Sequence, residues 1–333
     1  MKDLQNNFIE GIGNTPLIKL KAASEVTNCN IYGKAEFLNP GGSVKDRAAL
    51  ALIKDAKEKK LISKGGIIVE GTAGNTGIGL CLIGNSLGYK TIIVMNENQT
   101  QEKKDLLRNI GADLRLVEAK PYKDNNNYVK VACRLADELR LKNSNGVVWA
   151  NQFDNIANSK GHYEGTGNEI WRQTEEKVDA FICSSGTGGT IAGVSNALKE
   201  KNKDIIIYLS DPKGSALYNY VKNGELKAEG SSITEGIGSS RITKNFDKAM
   251  IDGAFSIDDN IALKTLYDLL KNEGLNLGTS SGINIAGAIE LGKKLGPGKT
   301  IVTILCDKSD NYTSKMFNKS FLESRNLPVP EWI

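Results

Sequence analysis

Histidine is almost missing from this chain of 333 residues, occurring once, as His162. A Ser-His-Asp triad would rest on that single residue, and ligation of a metal by several histidines is excluded. Acid–base chemistry is therefore left to lysine, carboxylates or a borrowed cofactor, and His162 is expected to be a helix-surface or locally bonded side chain. Cysteine is sparse as well. Cys29, Cys81, Cys133, Cys183 and Cys306 are odd in number, far apart and never in a C-x-x-C pair, so neither a disulfide framework nor a zinc site is expected. Long apolar runs are absent: "TIIVM" and "TIVTIL" fall well short of the roughly 20 residues that span a bilayer. The opening "MKDLQNNFIEG" lacks the apolar centre of a signal peptide, which makes a cytoplasmic protein with no membrane partner the expectation. Neither sign of charge dominates either. With 43 basic and 39 acidic residues interspersed, there is no basic block to follow a phosphate backbone, and nucleic acid is not expected as a partner.

What the chain does have is alternation. Short β-rich runs ("IYGKAEF", "GIIVE", "YKTIIVM", "DLRLVE") are separated by helical patterns from about Ser43 to Lys59, after Asn75, from Gln101 and through "YVKVACRLADELR". The order resumes with "VVWANQF", a helix through "HYEGTGNEIWRQ", "VDAFICSS", a helix from Gly189, "DIIIYLSD", two helices near 258 to 294, and "KTIVTILCD". Parallel strands need helical crossovers, so this order predicts an α/β protein with doubly wound parallel sheets, packed at this length as two domains. One stretch, Val221 to Asn245, is long and irregular, and such segments inside compact enzymes are often functional.

Three junctions carry chemistry. "FICSSGTGGTIAG" runs a buried strand into Gly186, Thr187, Gly188, Gly189 and Thr190 before a helix, where outward N–H groups and the helix dipole favour an anion such as phosphate. It is not a Walker loop, and Ile191 stands where the third glycine of a dinucleotide fingerprint belongs; a close helix–strand packing turn is the structural alternative. "IIVEGTAGNTGIGL" places Thr72, Asn75 and Thr76 at another helix start, where hydroxyl, amide and backbone donors suit a carboxylate, unless they merely cap the helix. "NPGGSVKDRAAL" sets Lys45 at a third helix start. An amine, a phosphate cradle and a carboxylate site together suggest pyridoxal 5'-phosphate holding an amino acid. Two other readings are weaker: a dinucleotide-dependent oxidoreductase with Asp211 on a ribose hydroxyl leaves "GGSVK" and "GTAGNTG" unexplained, and a binding module that keeps the fold without catalysis is at odds with an intact Lys45, Asn75 and Ser280.

In order and spacing, "NPGGSVKDR", "GTAGNTG", "SSGTGGTIAG" and "LGTSSG" resemble the cysteine synthase and cystathionine β-synthase branch of the fold-type II pyridoxal-phosphate enzymes, over about Ile12 to Asp310. The resemblance implies two α/β domains of the tryptophan synthase β type: residues 1–40 plus 155–325 forming a large phosphate-binding domain, and 41–154 a smaller mobile one. It implies Lys45 as the Schiff-base lysine, Asn75 beside the cofactor's phenolic oxygen, Gly186 to Thr190 as the phosphate cradle and Ser280 on the pyridine nitrogen. Thr72, Thr76, Gln152 and position 73 match residues that hold the substrate carboxylate. The implied reaction is replacement or elimination at Cβ of L-cysteine, O-acetyl-L-serine or L-serine, with sulfide or a thiol as the second partner, in a homodimer. Two departures stand out. Ala73 replaces a serine of the family pattern, removing one hydroxyl from the carboxylate site, and the Ser231 to Thr243 stretch brings in Glu235 and Arg241, expected as a solvated salt bridge.

Overall fold

The computed structural model describes residues 4–72 and 74–333. In chain order the elements are β1 (Leu17–Lys19), α1 (Lys21–Thr27), β2 (Asn30–Ala35), α2 (Lys45–Glu58), β3 (Ile67–Gly71), α3 (Asn75–Leu87), β4 (Lys90–Asn96), α4 (Gln101–Asn109), β5 (Asp113–Val117), α5 (Tyr128–Arg140) and β6 (Val147–Trp149). There follow α6 (Ala157–His162), α7 (Asn168–Gln173), β7 (Ala180–Cys183), α8 (Gly189–Lys201), β8 (Ile206–Pro212), α9 (Leu217–Asn223), β9 (Gly253–Ile257), α10 (Asp259–Glu273), α11 (Thr279–Leu295) and β10 (Thr300–Leu305). The chain divides into two units, one of residues up to Gly13 with Asn39–Gly161, the other of Asn14–Leu38 with His162–Ile333. Among the described residues no helix is long and apolar enough to cross a membrane.

The first unit holds a parallel sheet of order β5-β4-β3-β6. Its interior strands, "IIVEG" and "KTIIVMN", are nearly continuous runs of β-branched residues because helices cover both faces. On one face Ala49, Leu52, Ile53 and Ala56 of α2 pack with Leu80 and Ile83 of α3 over Ile68 and Val148. On the other, Ala132 and Ala136 of α5 close over Val69, Ile92 and Val94. Burying one leucine or isoleucine side chain contributes about 1.5–3 kcal/mol, so these layers hold the strand ends, and the loops beyond them, in register.

The second unit is built on the order β1-β2-β10-β7-β8-β9, parallel throughout except for β1, which pairs antiparallel with β2 at the edge. The short edge strand β1 and the strand β9 are additions to the alternation legible in the sequence. Helix α11 lies across this sheet; at Gly287 an added methyl group would press on Ser210 of β8 and Ile182 of β7, so the helix approaches as closely as glycine permits. The predicted helix through 162–173 is broken. A π-helical turn at Tyr163–Gly167 separates α6 from α7, and Gly167 seats against Val194 and Ala197 of α8.

Candidate active site

Lys45 is the first residue of α2, and the turn before it is fixed from several sides. Gly42 N–H donates to the Asn39 carbonyl at 2.8 Å, while the Asn39 amide accepts from Gly13 N–H at 2.9 Å and donates to the Ser43 carbonyl at 3.2 Å. Gly41 N–H donates to Asp46 Oδ2 at 2.6 Å, and Lys45 N–H to Ser43 Oγ at 3.2 Å. The glycines and serine of "NPGGSVK" thus clamp the backbone of one half-buried lysine at a helix start.

In the same unit, β3 ends at Gly71 and α3 begins at Asn75, with Gly74 N–H donating to Thr72 Oγ1 at 3.3 Å. Ala73 lies outside the described residues. Thr76 is buried, and its hydroxyl donates to Gln152 Oε1 at 2.6 Å, so two residues predicted to share the substrate carboxylate are in contact across 76 positions of sequence. Gln152 follows β6 and is anchored in turn by Asn158 Nδ2, which donates to its carbonyl at 2.9 Å, and by the wholly buried Glu70. Burial pushes the Glu70 carboxyl up to about 8, against the pull of the Asn151 and Gln152 N–H groups it accepts from.

In the second unit, β7 runs into the loop Ser184–Gly188 and then α8. Gly188 has φ +85°, a conformation costly for residues with a Cβ, and a methyl there would collide with Phe246. At Gly186 a methyl would overlap the carbonyl oxygen of Gly236. The long irregular segment is therefore the back wall of this loop: Gly238 N–H donates to the Ser185 carbonyl at 2.8 Å and Thr243 Oγ1 to the Thr187 carbonyl at 2.7 Å. Within it Glu235 forms an ion pair with Lys315, both partly buried, a partner the sequence reading did not identify. His162, expected as a surface or locally bonded residue, is 1% exposed and sits behind the loop, hydrogen-bonded through Nδ1 to Thr166 Oγ1 at 2.8 Å and through Nε2 to Thr190 Oγ1 at 3.2 Å.

Ser280 lies in the first turn of α11, buried; Gly278 N–H donates to the Asp307 carbonyl at 3.0 Å and Cys306 N–H to Ser281 Oγ at 2.9 Å, tying this helix start to the end of β10. Tyr312 donates to Asp307 Oδ2 at 2.6 Å, and burial, together with that carboxylate, holds its phenol protonated far above the usual range. Asp211, the ribose-binding residue of the oxidoreductase reading, has Oδ2 accepting Tyr218 N–H at 2.8 Å, where it fastens α9 to the end of β8.

The residues suit pyridoxal phosphate. The glycine loop is packed against Gly236 and Phe246 too closely for any Cβ at Gly186 or Gly188, its N–H groups precede the helical ladder of α8, and the buried hydroxyls of Ser185 and Thr279 have no hydrogen-bond partner among the described residues. Ser185, Thr279 and Glu70 were missed in the sequence. Ser185 and Thr279 stand inside the motifs "SSGTGGTIAG" and "LGTSSG", which is the signal they carried, and Glu70 had one of its own, a carboxylate inside the apolar strand "IIVEG".

A family model described as pyridoxal-phosphate dependent enzyme matches residues 9–307. The chain is 50% identical over 327 residues to cysteine synthase 1 of Neurospora crassa, covering 96% of this chain and 86% of that protein. It is 44% identical to the cysteine synthase of Dictyostelium discoideum over 340 residues, with 98% and 88% covered. Among solved structures, a hydrogen sulfide-producing enzyme from Fusobacterium nucleatum superposes with a TM-score of 0.82 at 33% identity, covering 93% of this chain and all of that one. The O-acetylserine dependent cystathionine beta-synthase of Helicobacter pylori does so with the same TM-score at 32% identity, covering 94% and 98%.

Proposed function

The chain belongs to the pyridoxal-phosphate dependent enzymes, and from that premise we propose that it is a cysteine synthase-like enzyme replacing the leaving group at Cβ of O-acetyl-L-serine with sulfide. The observation that carries the reading is the contact of Thr76 with Gln152 at a helix start, a set of hydroxyl and amide groups suited to an amino acid's carboxylate, in a chain that also carries the sealed glycine cradle. When bound, the cofactor supplies an electron sink for the charge left at Cα.

The chain's own residues do the rest. Gly186 to Thr190 and the start of α8 would hold the phosphate by backbone N–H groups and helix dipole. Ser280 would offer the cofactor's ring nitrogen a hydroxyl, a weaker partner than a carboxylate and one suited to loss of a group from Cβ over transamination. Thr72, Thr76 and Gln152 orient the substrate carboxylate, and Asn75 would face the cofactor's phenolic oxygen. Lys45 Nζ would hold the cofactor through its aldehyde carbon and would serve as the general base for the substrate's Cα proton.

A second reading, release of sulfide from L-cysteine with water or a thiol as nucleophile, is favoured by the likeness to the Fusobacterium enzyme and by Ala73 in place of a hydroxyl donor. Cytoplasmic residence and a homodimer complete the proposal; light scattering on the eluted protein tests the dimer. The two activities separate by comparing kcat/KM for O-acetyl-L-serine plus sulfide with that for L-cysteine alone. The synthase reading predicts a clear excess of the first; an excess of the second reverses the assignment.

A further inference from the structure

Glu70 is out of place in β3. The strand is covered on both faces, Ile68 and Val69 beside it are fully buried, and Glu70 itself has no exposed surface. A carboxyl group in such a position persists only with partners. Its partners are specific: Oε2 accepts Asn151 N–H at 2.7 Å, Oε1 accepts Gln152 N–H at 3.4 Å, and the Gln152 side chain bonds the same carboxyl group.

The geometry explains why. Strands β3 and β6 pair through Val69 and Trp149, and Ala150 N–H still donates to the Val69 carbonyl at 3.0 Å. Beyond that point β3 leaves toward α3, and the Glu70 carboxyl takes the next two N–H groups of the other chain segment. It holds Asn151 in the left-handed region at φ +50° and aims Gln152 back at Thr76, whose hydroxyl donates to Gln152 Oε1 at 2.6 Å.

We propose that Glu70 is the positioning residue of the substrate-carboxylate clamp, fixing Gln152, and through it Thr76, without touching the substrate. This rests on the assignment of Thr76 and Gln152 to that clamp. Loss of Glu70 therefore weakens binding of the amino acid's carboxylate and leaves the phosphate cradle, which belongs to other elements, untouched.

The test uses the holoenzyme with Glu70→Gln, which keeps the volume and one acceptor, Glu70→Ala, which keeps none, and Thr76→Ala as a control on the clamp. KM and kcat are measured with O-acetyl-L-serine and sulfide; Kd is measured spectroscopically for L-alanine, which has the amine and carboxylate but no leaving group, and for the cofactor. Glu70→Ala is expected to raise KM and the L-alanine Kd about tenfold or more, with kcat and cofactor Kd within about twofold, and Glu70→Gln to bring the rise back to about threefold. If Glu70→Ala fails to fold, the threefold rise in Glu70→Gln decides alone. Unchanged KM and L-alanine Kd in the folded Glu70 variants, or a loss confined to kcat, overturns the proposal while a raised Kd in Thr76→Ala keeps the clamp. An unchanged Kd in Thr76→Ala removes the clamp itself, and the proposal with it.

Discussion

Replacing Glu70 by glutamine tests the balance of forces at the heart of the first unit through stability alone. Burial raises this carboxyl from its ordinary 4.5 to about 8, so the folded protein keeps a proton that the unfolded chain has released. The linkage then has a definite sign: the contribution is fully present below about 4.5 and is lost as pH rises through about 8. Each pH unit inside that window costs about 1.4 kcal/mol, so the parent loses about 3 kcal/mol between pH 5.5 and 7.5 relative to a variant that cannot ionise. With a urea slope of roughly 1–3 kcal/mol per molar, the parent midpoint falls by about 1–3 M against the variant's. The readout is Trp149, the tryptophan of this unit, in a background where Trp171 and Trp332 are phenylalanine. Taking the difference between parent and Glu70→Gln at each pH cancels every other titrating group. A difference that stays constant across the window refutes the reasoning, because it would mean that the Asn151 and Gln152 N–H groups, not burial, set the protonation of Glu70.

Three further outcomes are expected. Gly186→Ala, whose methyl would overlap the Gly236 carbonyl, should lower cofactor affinity at least about tenfold through displacement of the loop, measured by absorbance titration; unchanged affinity would show that the wall yields freely. Lys34→Met removes a fully buried ammonium that donates to Glu169 Oε2 at 2.6 Å, Gln173 Oε1 at 2.9 Å and the Thr15 carbonyl at 2.5 Å. The carboxylate left behind should cost about 3–5 kcal/mol in urea unfolding, and adding Glu169→Gln should recover part of it. Lys45→Ala should keep the fold by circular dichroism but abolish β-replacement, and after borohydride reduction mass spectrometry should find cofactor fixed to the Lys45 peptide of the parent and none on the variant.

Legibility followed the physics of each feature. The parallel strands β3, β4, β7 and β10 could be read because burial on both faces forces unbroken apolar runs, and helices α2, α5 and α10 because one buried face repeats every three or four residues. Strand β1 could not: three residues with a mixed pattern are held by pairing with β2, a partner that tertiary structure alone supplies. The helix expected through 162–173 missed the π turn, whose cause is the seating of Gly167 on α8 rather than any local propensity. The same division runs through the site. Glycine and hydroxyl residues at helix starts announce an anion because the need for close backbone approach is written in residue type. What positions them is written in contacts between distant segments, as where Thr243 holds the Thr187 carbonyl or Glu70 takes the N–H groups of Asn151 and Gln152. A charged residue in an apolar strand is the one such contact that sequence does betray, since the transfer cost of a buried carboxyl has to be offset by some partner. Glu70 could have been marked on that ground as bonded to something, but its partners lie 81 and 82 positions away, and only the β3–β6 pairing brings them within reach.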